Sequence, residues 1–255
     1  MSFPVLTTGT KSGAVPLLTG PRHEEILGAL HATLKPRTYL EIGVEKGETL
    51  RLANCPSIGI DPTMQIDQQA IGDKSACLLY RIPSDRFFEI YDPTALLGDK
   101  IDFAFLDGMH LFEFLLRDFI NIERHCRRNS LIVLHDCVPT DLYLARRHRQ
   151  DESLRGITRI AGGWCGDVWK TVLILRAYRP DLRIYSFDAA LTGMVVVTNL
   201  DPQSEVLADQ YAEAVERFGS LDLGDYGLPR YVDELALKDA RLLTDPVELA
   251  RFFWL

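Results

Sequence analysis

Apolar residues in the first two-thirds of the chain fall in short runs closed by polar or turn-forming residues, with helical-period stretches between them. Short bounded apolar runs read as buried strands, and apolar recurrence at i, i+3 and i+4 reads as a helix. Strands are predicted over 38–43, 57–61, 76–82, 101–106 and 131–135. Helices are predicted over 22–34, 49–54, 65–72, 85–91 and 111–126. In the first of these Ile26, Leu27, Leu30 and Leu34 share a face, and Pro36 stops the helix. Such alternation implies a parallel, doubly wound α/β sheet. A further helix over 167–178 is predicted with Asp167 as its cap and Trp169, Val172 and Leu173 facing inward. Runs 182–187 and 193–198 read as a closing pair of strands on the sheet edge, giving seven strands, mostly parallel. Beyond residue 200 the pattern supports one amphipathic helix, 205–218, then a Gly/Asp/Leu-rich turn and an aromatic end. The organisation is an arm (1–21), a main domain (22–200) with an insertion after the fifth strand (137–166), and a C-terminal extension (201–255).

Composition narrows the class. With 255 residues, 47% hydrophobic and 25% charged, the chain fits one sizeable globular domain with appendages. A net charge of -8 gives no electrostatic reason to expect nucleic acid. The basic run Arg146–Arg149 reads as a solvated helix face or loop rather than an anion site. Five cysteines without C-x-x-C spacing suggest neither a zinc site nor a redox pair, and reduced thiols are expected. The N-terminus lacks a basic segment followed by an apolar one, and no run is long enough to span a bilayer. A soluble, cytoplasmic protein is expected, with no membrane partner; a homo-oligomer is left open.

Two apolar runs end in clustered acid and imidazole. Asp107-Gly-Met-His110 closes one, and His135-Asp136-Cys137 closes the next. Ligands of open α/β sheets gather beyond the carboxyl ends of the strands, so both clusters should face one crevice. Taken singly, Asp107 reads as a helix cap and His135 as a core histidine; four such residues at neighbouring strand ends read as a site. Asp118, two helical turns beyond His110, reads as a surface ion pair or as a group orienting a site histidine. Trp169 reads as core, whereas Trp164, among glycines, reads either as core or as a wall over a bound acceptor.

Residues 39–49 form a strand, a glycine turn and a helix, but Gly43-x-x-x-Gly47 is not the dinucleotide fingerprint, which argues against NAD. Asp61 closes the second strand, twenty residues after Glu41. An acid there suits ribose hydroxyls, or it caps the following turn ahead of Pro62.

Glu41-x-Gly43-x-x-x-Gly47-x-Thr49 followed by Asp61-Pro62 resembles the cofactor motifs of class I S-adenosylmethionine-dependent methyltransferases. Leu106-Asp107-Gly108-Met109-His110 with Leu134-His135-Asp136 resembles a bacterial small-molecule O-methyltransferase subgroup, methyltransferase family 24-like, over roughly residues 22–200. Some of its members act on sugars and require a divalent metal. The resemblance implies a Rossmann-like methyltransferase fold, S-adenosyl-L-methionine as cofactor and a small-molecule, in some members glycosidic, acceptor. It implies Glu41 near the methionine amino group, and Gly43, Val44, Gly47 and Thr49 against the cofactor. It further implies Asp61 on the ribose, Ser84 and Asp85 beside the adenine, and Asp107 and Gly108 on the cofactor side; Ser84 reads equally as a helix cap. His110 would be the general base, with Asp107 and Asp136 positioning acceptor or metal. Asp107, His135 and Asp136 would ligate any divalent cation, Mg or Mn. His135 departs from the family pattern, where an acid stands, and turns the site toward softer ions or toward none. Two other readings stay open: a non-catalytic S-adenosylmethionine or ligand-binding domain, and a metal-dependent hydrolase or oxygenase.

Overall fold

A computed structural model describes residues 15–255; residues 1–14 of the expected arm lie outside the described residues. Seven strands form one sheet: β1 (Tyr39–Ile42), β2 (Ser57–Ile60), β3 (Cys77–Tyr80), β4 (Ile101–Leu106), β5 (Cys126–His135), β6 (Arg183–Phe187) and β7 (Met194–Thr198). Their order is β3-β2-β1-β4-β5-β7-β6, with β7 antiparallel to both neighbours and the other pairings parallel. The expected doubly wound sheet and closing edge pair are both present, and the pair is antiparallel. The strand order reverses direction at β1, between β2 and β4, where a crevice is expected.

Side chains alternate across the sheet. Leu40, Ile58, Ile60, Ala104, Leu106, Ile132 and Leu134 pack on one face, and Tyr39, Phe103, Phe105, Leu131 and Val133 on the other. The first face is covered by α2 (Ser84–Ile90), α3 (Pro93–Leu97), α4 (Phe112–Glu123) and α5 (Trp169–Tyr178). The second is covered by α1 (His23–Leu34). Ile26, Leu27 and Leu30 of α1 are fully buried, while Leu34 is only partly so. The short α3 escaped the sequence reading, although Asp92 caps it, Pro93 opens it and Gly98 closes it.

The predicted helices at 49–54 and 65–72 are single 3-10 turns, Leu50–Leu52 and Gln68–Ala70. Strand β5 begins five residues earlier than its apolar run, at Cys126. Polar Arg127 and Ser130 are tied there by hydrogen bonds to β4 and to the loop before it.

The C-terminal extension differs most from expectation. Helix 205–218 is broken at Gln210 into α6 (Val206–Asp209) and α7 (Tyr211–Gly219), followed by α8 (Leu223–Tyr226), α9 (Leu228–Leu235) and α10 (Pro246–Leu249). Ala214, Phe218, Tyr231, Val232 and Leu235 join the core beside α4 and α5, whereas Ala240, Leu243, Leu249 and Phe253 join the core beside α1. The extension therefore completes both helical layers. All five cysteines are unpaired, four of them buried. Among the described residues no helix is long and apolar enough to cross a membrane.

Candidate active site

Strand register builds the site. Ile42 pairs with Ile60 and with Leu106, and Leu106 with Leu134, so four strands end at one level. The residues that follow, Gly43, Asp61, Asp107 and His135, make one rim. Backbone bonds continue onto it, from Gly43 N to Ile60 O (2.9 Å) and from Asp107 N to Ile42 O (2.9 Å). Gly43 has φ +90°, and a Cβ there would stand 2.0 Å from the Asp107 carbonyl oxygen. Only glycine lets the two strand ends approach so closely.

Beyond the rim lies a crevice of about 760 Å³, lined among others by Gly43, Asp61, Ser84, Asp85, Asp107, Gly108 and His110. This volume is in the range of small-molecule and cofactor sites. A narrower extension between His110, Asp107, His135 and Asp136 opens beside it. The structure thus brings together most of the residues singled out from sequence, and separates four of them from the cavity. Glu41 is fully buried, with its carboxylate accepting from the Tyr39 hydroxyl and the Thr49 hydroxyl, both at 2.7 Å. Burial pushes its carboxyl up to about 7 against those two bonds. Thr49 acts on Glu41, Val44 is buried against Gly59, and Gly47 packs against Ala70 and Ile66.

Asp61 serves the turn as well as facing the crevice. Its carboxylate accepts from Glu45 N (2.8 Å) and from Thr63 N (2.6 Å). Asp85 is bound by both arms of Arg117 at 2.7 and 2.8 Å. Ser84 is inside the first turn of α2 rather than its cap, and its hydroxyl acts to lower the pKa of Asp118. Asp118 is buried and, among the described residues, forms no ion pair, contrary to the surface ion pair expected; burial pushes it up to about 7.

His110 is held on every side. Its Nδ1 lies 2.8 Å from the Trp164 carbonyl oxygen and 3.1 Å from Asp136 Oδ2, and its Nε2 lies 3.5 Å from Asp107 Oδ1. The Trp164 ring stacks on it, with centroids 5.1 Å apart and planes at 8°. Asp167 N donates to the His110 carbonyl (3.2 Å), and Gly166, at φ +63°, lies so near that a Cβ would stand 1.7 Å from that oxygen. Asp167 does not cap its own helix; its carboxylate accepts from Phe112 N (3.0 Å) at the start of α4. The tertiary bond outcompetes the local cap because the insertion is folded onto α4. His110 and Asp136 both have positive φ, +55° and +58°. Such backbone is sparsely populated by non-glycine residues and tends to cluster at active sites.

The hydrogen-bond pattern fixes a tautomer. A carbonyl oxygen only accepts, so Nδ1 carries the proton and Nε2 of the neutral ring holds the lone pair.

His135 sits behind this pair, its Nδ1 3.2 Å from Asp107 Oδ1 and 3.4 Å from Asp136 Oδ1. Burial works against its charge, but Asp107 and Asp136 outweigh burial and push the imidazole up to about 9. Asp107 is held well below the usual carboxylate range, burial notwithstanding, by His135 and His110. His23 of α1 lies against His135, with ring centroids 4.3 Å apart, and burial lowers its pKa. His23 is far from the cluster in sequence and carried no signal there. Among the described residues the metal-competent group is Asp107, His110 and Asp136, one ligand atom from each lying within 4.8 Å of the others. It replaces His135 of the expected set by His110; among the described residues His135 Nδ1 is within ion-pairing distance of both carboxylates but makes no hydrogen bond.

Residues 40–137 match a family model described as "Methyltransferase domain". Among curated protein sequences no relative matches. Solved structures with a similar chain path include a candidate O-methyltransferase from Klebsiella pneumoniae, 17% identical, covering 70% of this chain and 83% of that one at TM-score 0.48. They also include the Streptomyces achromogenes O-methyltransferase TomG, involved in tomaymycin synthesis and solved with SAM, 14% identical (69% and 78% covered, TM-score 0.48). A Bacillus cereus O-methyltransferase in complex with SAH is 12% identical (73% and 83% covered, TM-score 0.45). The matched segment runs from β1 to the second residue after β5 and contains the rim from Gly43 to Asp136.

Proposed function

We propose that the chain transfers the methyl group of S-adenosylmethionine to a hydroxyl of a small molecule, with His110 as general base. The observation that carries the reading is the His110 tautomer, which leaves the Nε2 lone pair beside Asp107 at the crevice. Support for the cofactor comes from the methyltransferase-domain match and from the crevice at the strand-order reversal. The nucleoside would lie between Asp61 and the Ser84–Asp85 turn, with Gly43 and Gly108 giving close backbone approach. Glu41, sealed behind the rim, would position the turn rather than touch the cofactor directly.

In the transfer the acceptor oxygen forms a bond to the methyl carbon as the sulfur–methyl bond breaks, leaving S-adenosylhomocysteine. Alignment supplies most of the acceleration. The hydroxyl proton passes to His110 Nε2, and the resulting imidazolium is stabilised by Asp136 at Nδ1 and Asp107 at Nε2. Stacking on Trp164 and the bond to its carbonyl hold the ring in place through the proton transfer.

Asp107, His110 and Asp136 also fit a divalent cation, with two carboxylates and an imidazole converging. When bound, a cation lowers the acceptor's pKa. His110 Nε2 is then a ligand and not a base, so the two roles exclude each other. Labelled-methyl transfer by the wild type and by His110→Ala, with and without a chelator, tests the assignment. Loss of at least 100-fold in turnover is expected for the variant, with cofactor affinity within a few-fold and no effect of chelator. Comparable transfer by His110→Ala removes the histidine from the role.

A further inference from the structure

The basic run 146–149 lies in a loop with residues 148 and 149 exposed, and its three arginines are not equivalent. Arg146 stacks on the Tyr143 ring at 3.6 Å and donates to the carbonyls of Tyr143, Gly163 and Arg149. Arg147 bridges Glu113 and Asp167. The Arg146 guanidinium is consumed within the insertion, and that of Arg147 in holding the insertion on α4. Arg149 is different. Its carbonyl is gripped by Arg146, so its backbone is anchored, while its side chain reaches the crevice. It is the only arginine or lysine among the residues that line that crevice. The lining also contains five carboxylates, yet among the described residues none lies within ion-pairing distance of Arg149. The Trp164 ring lies beside it, with the guanidinium carbon 5.8 Å from the ring centroid. Trp164 in turn stacks on His110 at 5.1 Å, so the unpaired cation stands at most about 11 Å from the proposed base.

We infer that Arg149 forms an anion subsite, and that the methyl acceptor is a hydroxylated acid whose carboxylate or phosphate it binds. This rests on the reading of the crevice as a methyl-transfer site. The remaining acids of the crevice repel an anion from its floor, so the acceptor enters with its charged end at Arg149 and its hydroxyl toward His110. A guanidinium matches either anion in bidentate fashion, and the adjacent Trp164 face shields the pair from water. The subsite therefore selects orientation as well as charge.

The test uses the full chain loaded with S-adenosylhomocysteine and two isosteric probes that differ in charge, 3,4-dihydroxybenzoate and 3,4-dihydroxybenzamide. Titration calorimetry first measures S-adenosylhomocysteine on the wild type; failure to bind at this stage fails the transferase reading itself, before any probe is added. The benzoate is then expected to bind the loaded wild type about ten-fold more tightly than the amide. The gap should close to about two-fold or less in both Arg149→Gln and Arg149→Met. S-Adenosylhomocysteine affinity should be unchanged in both variants. Equal behaviour of the two probes on the loaded wild type overturns the proposal. So does a ten-fold loss of S-adenosylhomocysteine affinity in the variants, which would assign Arg149 to the cofactor's own carboxylate.

Discussion

His31 offers a quantitative test of how the core beneath the site is built. It lies on the buried face of α1, edge-on to Tyr39 at 4.7 Å and tilted against Phe103 at 4.8 Å, and among the described residues neither ring nitrogen has a hydrogen-bond partner. Burial, with a smaller contribution from Lys74, lowers its pKa from 6.5 to about 3. Folding therefore requires the neutral ring. The unfolded chain binds a proton near pH 6.5 that the folded chain refuses until about pH 3, so this group's contribution is intact above 6.5 and is lost as pH falls toward 3. At pH 5 the loss is about 2 kcal/mol, the linkage over one and a half pH units. His31→Leu removes the titration and keeps an apolar side chain against Tyr39 and Phe103. Urea unfolding of both proteins at pH 7.5 and 5.0 gives the double difference, in which Glu41 and Asp118, both raised to about 7 and opposite in sign, cancel. The variant should gain about 2 kcal/mol relative to wild type between the two pH values. A relative stability that does not change with pH would refute the account of a neutral, unpartnered imidazole.

Two further substitutions probe the frame around the site. Arg179 and Glu123 form a buried bidentate pair at 2.7 and 2.9 Å, and Asp201 N also donates to Glu123. Arg179→Met strands that carboxylate and should cost about 3–5 kcal/mol in chemical denaturation; a loss under about 1 kcal/mol would mean the pair is solvated. Gly166→Ala places a methyl group against the His110 carbonyl in a backbone conformation that alanine resists. Methyl transfer should fall at least ten-fold while S-adenosylhomocysteine affinity holds, and unchanged transfer would show that the insertion does not position His110.

The parts of the fold that were legible in the sequence are those where burial on both faces forces continuous apolar runs. β4 has the predicted limits because all six of its residues are buried, and its closing Asp107 followed directly. The start of β5 was hidden because Arg127 and Ser130 are secured by partners on β4 and the preceding loop, which no local pattern announces. In the extension, α9 carries its signal at Leu228, Tyr231, Val232 and Leu235, yet over only two turns, too short to stand out. The site divides similarly. Strand-end acids and imidazoles were readable as a crevice rim. What the carbonyl of Trp164, the ring of His23 and the carboxylate of Asp167 contribute depends on chain segments meeting from far apart. Glu41 shows the opposite failure: its motif position suggested cofactor contact, and packing behind Tyr39 and Thr49 sealed it off.

What the crevice at β1, β2 and β4 holds, and in which direction, decides whether His110 can serve as the base. A crystal structure of the protein soaked with S-adenosylhomocysteine tests this directly. The account predicts density with the ribose hydroxyls on Asp61, the adenine beside Ser84 and Asp85, and the sulfur turned toward His110 Nε2 with room for an acceptor between them. Density elsewhere, or a sulfur facing away from His110, would contradict it.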